Sequence, residues 1–150
     1  MTTKQMRERL SELRNQGHER CVVCAPSHPL GLQVEYHVDG AGVVHAEFPC
    51  HRVFQGYPGQ LHGGVITALL DGAMTNCLFA HGIEAVTGEL VVRFLQPVAT
   101  DRIAEVSARL TTVSHRLFIL EAELTQEQVP VARAQGKFVK RSVGFGTGAQ

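Results

Sequence analysis

The pattern of hydrophobic positions along the chain changes three times. Between Lys4 and Asn15, Met6, Leu10 and Leu13 recur at helical spacing among Arg7, Glu8, Arg9, Glu12 and Arg14, which predicts an amphipathic helix of about three turns packed on the edge of the domain. Gly17 ends it, and a loop with Cys21, Cys24, Pro26, Pro29 and Gly31 follows. The period then drops to two. Leu32, Val34, Tyr36 and Val38 alternate with Gln33, Glu35, His37 and Asp39, so a strand with one buried face is expected. The turn signal Asp39-Gly40-Ala41-Gly42 joins it to Val43–Phe48 as a hairpin, and Pro49–Gln60 reads as an irregular loop.

From Leu61 the pattern changes again. His62-Gly63-Gly64 opens a run, Val65 to Ala80, that is apolar nearly all round and closed by Gly82. Its length approaches that of a membrane span, but Asp71 and Asn76 argue for a buried helix of a globular protein. Alternation resumes in Leu90, Val92, Phe94; in Ala104 to Leu110; in Phe118 to Leu124; and in Ala132, Ala134, Phe138. The simplest architecture is α+β: a hairpin, one long helix, then a four-stranded antiparallel meander, the curved strands wrapping the helix. Residues 1–29 form the N-terminal helix and Cys-containing loop, 30–141 the main domain, and 142–150, rich in Gly, a flexible tail. Uncovered sheet edges suggest a homo-oligomer, a dimer or a dimer of dimers.

At 150 residues and 16.4 kDa the chain is the size of one domain. Fourteen Lys plus Arg balance fourteen Asp plus Glu, so no overall field draws it to nucleic acid or to an anionic membrane. Four Cys are too few for a disulfide scaffold, and Met1–Arg14 is polar where a signal peptide is apolar. Both features suit a cytoplasmic protein with reduced thiols.

Asp71 is the residue that departs most from its surroundings, because a carboxylate on an apolar helix is costly unless it is paired, turned to the surface, or part of a site. His62-Gly63-Gly64 places backbone N–H groups and the positive end of a helix dipole where an anion is stabilised, and glycine permits close approach of a ligand. Gly64 and Asp71, seven residues apart, share a helix face but are separated by about 10 Å at ~1.5 Å per residue. One carbonyl group cannot touch both. If the Gly64 N–H holds an oxyanion while a carboxylate works at the same carbon, that carboxylate comes from a second subunit.

The stretch Gln55-Gly56-Tyr57-Pro58-Gly59-Gln60-Leu61-His62-Gly63-Gly64, with Leu69-Leu70-Asp71 and Arg93-Phe94-Leu95-Gln96-Pro97-Val98, closely resembles the hotdog-fold acyl-CoA thioesterases of the phenylacetate-degradation and 4-hydroxybenzoyl-CoA type. The resemblance runs from about Gly31 to Val139, and Gly72 stands where relatives often carry Glu. It implies a curved sheet of about six strands around one central helix, here with an extra N-terminal helix, and hydrolysis of an acyl-CoA thioester without a required cofactor. Asp71 would be nucleophile or general base, the Gly64 N–H would polarise the carbonyl, His62 would orient the loop or help the leaving group, and Thr87 would position water. Gln55 or Gln60, candidates for the Asn or Gln that relatives often carry in the loop before the His, would contact substrate, as would Gly63. Arg116 and Lys137, with Lys140 and Arg141, suit the phosphates of CoA, and Phe54, Tyr57 and Leu61 an acyl groove.

Other readings compete. Cys21-Val22-Val23-Cys24 with His18 and His28, and Cys50-His51 further on, has the look of a structural zinc loop, although a single Cys-x-x-Cys is an incomplete pattern. A Cys nucleophile with His45, His51 or His62 is the runner-up chemistry. Arg93 pairs with a carboxylate such as Glu89 or meets ligand. A non-catalytic acyl-CoA-binding or sensing module, or a hotdog dehydratase, are the alternatives to a hydrolase.

Overall fold

The computed structural model describes residues 1–142; the expected loose tail falls, from residue 143 on, outside the described residues. Helix α1 spans Thr3–Gly17 and opens with a capping box: Thr2 Oγ1 accepts from the Gln5 N–H (3.2 Å) while Gln5 Oε1 accepts from the Thr2 N–H (2.8 Å). Helix α2 is Gly63–Ala80. The strands are β1 His37–Val38, β2 Val44–Pro49, β3 Ala85–Phe94, β4 Ile103–Val113, β5 Leu117–Gln126 and β6 Val129–Lys140.

All six strands form one antiparallel sheet in the order β1-β2-β4-β5-β6-β3. The expected meander therefore holds only for β4, β5 and β6. Strand β3 pairs with β6 at one edge, and the chain then crosses to β4, which pairs with β2. Alternation marks a half-buried strand but does not name its neighbour. The crossing segment finds partners for its backbone beside the entrance of α2: Leu61 donates to the Val98 carbonyl (2.8 Å), Thr100 to that of Gly59 (3.0 Å), and the Gln126 amide holds Ala99 from both sides.

The first strand is also shorter than its pattern. Val34, Tyr36 and Val38 are buried as predicted, yet the N–H groups of Leu32 and Val34 donate to the carbonyls of Val22 and Val23, both at 2.8 Å. Residues 32–36 thus run beside the Cys-containing loop, and only His37–Val38 joins the ladder. The turn at Asp39–Gly42 forms as expected. Asp39 Oδ1 accepts from Ala41 and Val43, and Gly42, at φ 77°, occupies a left-handed position suited to glycine. Pro130, expected to break the chain, lies inside β6 at its start, opposite Thr125 where the register shifts.

Helix α2 buries Ile66, Leu69, Leu70 and all of 72–80. It is apolar all round because it is covered from two sides. The sheet lies under it, with Val44, Val106, Leu120, Leu124 and Phe138 buried on the inner face; α1 and the 18–36 segment lie over it. Each such Leu contributes roughly 1.5–3 kcal/mol relative to exposure. The helix is long and apolar enough to cross a membrane, but most of it is inside this protein. The N-terminal helix accordingly packs on α2, with a smaller contact to β1.

Candidate active site

Asp71 projects from the middle of α2 toward the edge strand β3, where Thr87 Oγ1 donates to its Oδ1 at 2.7 Å. The carboxyl group is half-buried. Burial raises its pKa above the ordinary carboxylate value; the Thr87 hydrogen bond opposes that rise, the nearness of Cys21 adds to it and that of His18 opposes it. Asp71 and Thr87, singled out separately in the sequence, therefore form one unit. Thr87 engages one carboxylate oxygen and leaves lone pairs on the other for a water or a substrate atom.

The helix start is different from what the sequence suggests. His62 is the N-cap of α2, and its Nδ1 accepts the Gly64 N–H at 2.8 Å, so the donor expected to be free is capped by its neighbour. An accepting Nδ1 puts the neutral ring's proton on Nε2. Thr67 Oγ1 donates to the Gly63 carbonyl (2.8 Å), and Phe94 packs close to Gly63, where an added Cβ would lie 3.6 Å from the ring. The structure does not bring Gly64 and Asp71 of one chain together: they are seven residues apart on a continuous helix, an axial separation of about 10 Å.

The glutamine candidates separate. Gln55 Oε1 accepts from the Gly59 N–H at 3.2 Å and bridges to Leu61 through its backbone, so it shapes the loop before His62; Gln60 bridges to Ala99 in the crossing segment. Phe54 packs on Phe48 with ring centroids 5.6 Å apart, Leu61 is buried, and Tyr57 is 81% exposed. Among the cations, Lys137 lies opposite Glu89 on β3, at 3.6 Å, so Glu89 is engaged by Lys137 and not by Arg93. Arg93 instead stands opposite Arg133 on the outer face of the sheet. Arg116, Lys140 and Arg141 gather at one sheet end: the Lys140 backbone N–H donates to the Arg116 carbonyl (3.0 Å), and the Arg141 side chain pairs with Glu84 (3.2 Å).

Two neighbours of Asp71 escape sequence reading. Tyr36 is buried and donates its hydroxyl to the Leu69 carbonyl (3.0 Å); burial pushes its phenol well above the ordinary value, so it remains a donor. The Cys-containing loop also comes against this face of α2, bringing His18 and Cys21 within electrostatic reach of Asp71. The signal was Gly72. A Cβ there would come within 2.7 Å of both Tyr36 Oη and Val23 Cγ1, so the missing side chain marks a backbone on which other segments close. Cys77 and Cys50 are buried, and burial raises their thiols to about 12 and about 11, which disfavours the alternative of a Cys nucleophile at either position.

The family model for the thioesterase superfamily matches residues 58–132. Acyl-coenzyme A thioesterase THEM4 of Bos taurus is 28% identical over 88 residues, covering 57% of this chain and 36% of that protein, so the chain spans about a third of this curated relative's length. The PaaI protein of the E. coli phenylacetic acid degradation operon superposes with a TM-score of 0.79 at 16% identity, over 95% of this chain and 97% of that one. A hypothetical thioesterase from Streptococcus pneumoniae, solved with coenzyme A, gives a TM-score of 0.66 at 18% identity, over 73% and 88%. The fold is that of these proteins, and since the family match extends over half of its 150 residues, this chain belongs to the thioesterase superfamily.

Proposed function

We propose that the protein hydrolyses an acyl-CoA thioester to the free acid and CoA. The reading rests on one observation above all: a half-buried helix carboxylate, Asp71, hydrogen-bonded at 2.7 Å by a strand hydroxyl, Thr87, in a chain of this family. The acyl-CoA substrate is taken from its relatives, one named for that activity and one solved with coenzyme A.

The chemistry follows from the groups present. Asp71 takes a proton from a water as that water adds to the thioester carbon. The carbonyl oxygen becomes an oxyanion and accepts from the Gly64 N–H of a second subunit. The C–S bond then breaks, and the proton held on Asp71 passes to the leaving thiolate of CoA. For Gly64 to serve, the His62 ring has to give up the bond it now accepts; His62 is thus a gate on the donor as well as a cap. One well-placed oxyanion donor is worth about 3–4 kcal/mol of barrier. Arg116, Lys140 and Arg141 offer a cationic end for the CoA phosphates, and Lys137 joins them where Glu89 releases it.

Strand β3 is the last in the sheet order, is ten residues long, and exposes Val86, Val91 and Phe94, each over half exposed. A bare edge of that length and character is what a second copy covers. Because Thr87 sits on this strand, Asp71 lies beside the proposed seam.

The test is release of free thiol from a panel of acyl-CoAs. Wild type is expected to turn over, and Asp71→Asn to lose about 10²–10⁴-fold in kcat. Equal rates in the two proteins remove Asp71 from the chemistry; tight acyl-CoA binding without any thiol release makes the protein a binding module instead.

A further inference from the structure

Where α1 ends, three soft ligands converge that the thioester chemistry does not use. His18 is the C-cap of α1, and the backbone turns at once, Cys21 N–H donating to the His18 carbonyl (3.1 Å) and Ala25 N–H to that of Cys21 (3.0 Å). The spacing His18-x-x-Cys21-x-x-Cys24 then places an imidazole nitrogen and two sulfurs within 4.8 Å of one another. Cys24 Sγ lies 3.7 Å from His18 Nδ1. A tetrahedral zinc with Zn–S of about 2.3 Å and Zn–N of about 2.0–2.1 Å sets those two atoms roughly 3.6 Å apart.

We propose that His18, Cys21 and Cys24 bind a thiophilic divalent cation, zinc in the first instance, as a Cys₂His site with a water in the fourth position. His28 and the Cys50-His51 pair, the other ligands considered from sequence, are not part of this group among the described residues.

Three features prepare the site. The Val23 N–H donates to Cys21 Sγ at 3.3 Å, a bond that stabilises a thiolate. The His18 ring stands edge-on to Phe79 at 5.0 Å, which fixes its plane. Fully buried Asn76 touches Cys24; its Nδ2 donates to the Gly72 carbonyl (2.8 Å), while its Oδ1 is the one buried side-chain polar atom without a partner among the described residues. A metal-bound water is a donor of the kind that acceptor lacks. The loop also needs a tie, since Val22 and Leu30 point outward and contribute little burial. A cation would join the end of α1 to the loop that closes over Gly72 and borders Asp71.

The experiment is metal analysis of the full chain purified under reducing conditions, followed by Co(II) titration of chelator-treated protein. One equivalent of zinc per chain is expected, as are thiolate-to-cobalt charge-transfer bands that Zn(II) abolishes. Cys21→Ser and Cys24→Ser should each weaken those bands and lower affinity by more than about 100-fold, beyond the roughly 10–100-fold that a supporting residue alone can cost. His18→Gln should lower affinity while keeping both sulfur contributions, and His28→Gln should change neither. If the Cys variants do not fold, wild type still decides: Zn(II) should raise its Tm and protect Cys21 from alkylation. No zinc uptake by reduced wild type, bands undiminished in both Cys variants, or a Cys21–Cys24 disulfide in place of bound metal would each overturn the site.

Discussion

Asp71 holds a charge where its surroundings disfavour one. Its carboxyl group is harder to ionise in the folded chain than in the unfolded one, because burial outweighs the Thr87 hydrogen bond. The neutral form therefore carries the favourable contribution to stability, present in acid and lost as pH rises through the raised folded pKa. Asp71→Asn should accordingly raise Tm at neutral pH, with the difference from wild type fading in acid, even as thiol release collapses. Thermal denaturation at two pH values checks this; an unchanged or lower Tm at neutral pH would mean that the Thr87 bond already compensates burial. Thr87→Val removes the contact that holds the carboxyl down. Its acid limb of kcat should move to higher pH, and a limb that stays put would separate Thr87 from the titration of Asp71. Asp71 was legible because one charge in an apolar run is conspicuous. Its partner hydroxyl and the capped state of Gly64 were less so: both depend on where a side chain turns, and His62 can serve its own helix or a ligand with the same nitrogen.

Among the elements, α2 combines the clearest signal with the tightest constraint. Gly72 breaks the rule that alanine is the better helix former by about 1 kcal/mol, and it does so because Tyr36 Oη and Val23 Cγ1 each leave a Cβ only 2.7 Å. Tyr36 is anchored to the Leu69 carbonyl and cannot retreat cheaply. Gly72→Ala should destabilise by about 1–3 kcal/mol in denaturant unfolding, the crowding exceeding the propensity gain; a stabilised variant would mean that the overlying loop yields. Both helices could be read from sequence, α1 from its 3.6-residue period and α2 from a long unbroken apolar run, because neither signal needs knowledge of the rest of the fold. Strands were legible as buried and exposed faces but not as neighbours. Val34 and Tyr36 alternate as strand residues do, yet their segment bonds to the Cys-containing loop; β3 alternates too, and nothing in it says that it passes β4 by to join β6.

For the whole molecule, the proposed seam along β3 has a consequence that a mixing experiment reads directly. Asp71→Asn and Gly64→Pro each remove one half of a composite site, proline lacking the N–H and being tolerated in a first helical turn. Mixed after unfolding and refolding together, two inactive proteins should recover about a quarter of the wild-type rate, since half of the random dimers are hybrids and each hybrid carries one intact pair. No recovery, with hybrids verified by mass, would place both halves within a single chain and undo the shared pocket.

The crossing that takes β3 past its sequence neighbours also fixes when the protein can assemble on the ribosome. Helix α2 is translated by residue 80, but the last strand to flank β3 ends at Lys140. For those sixty residues of synthesis a run greasy enough for a bilayer waits without the part of its cover that β4, β5 and β6 supply. Slowing translation before β6 should lengthen that exposure, read as greater protease sensitivity of the stalled nascent chain.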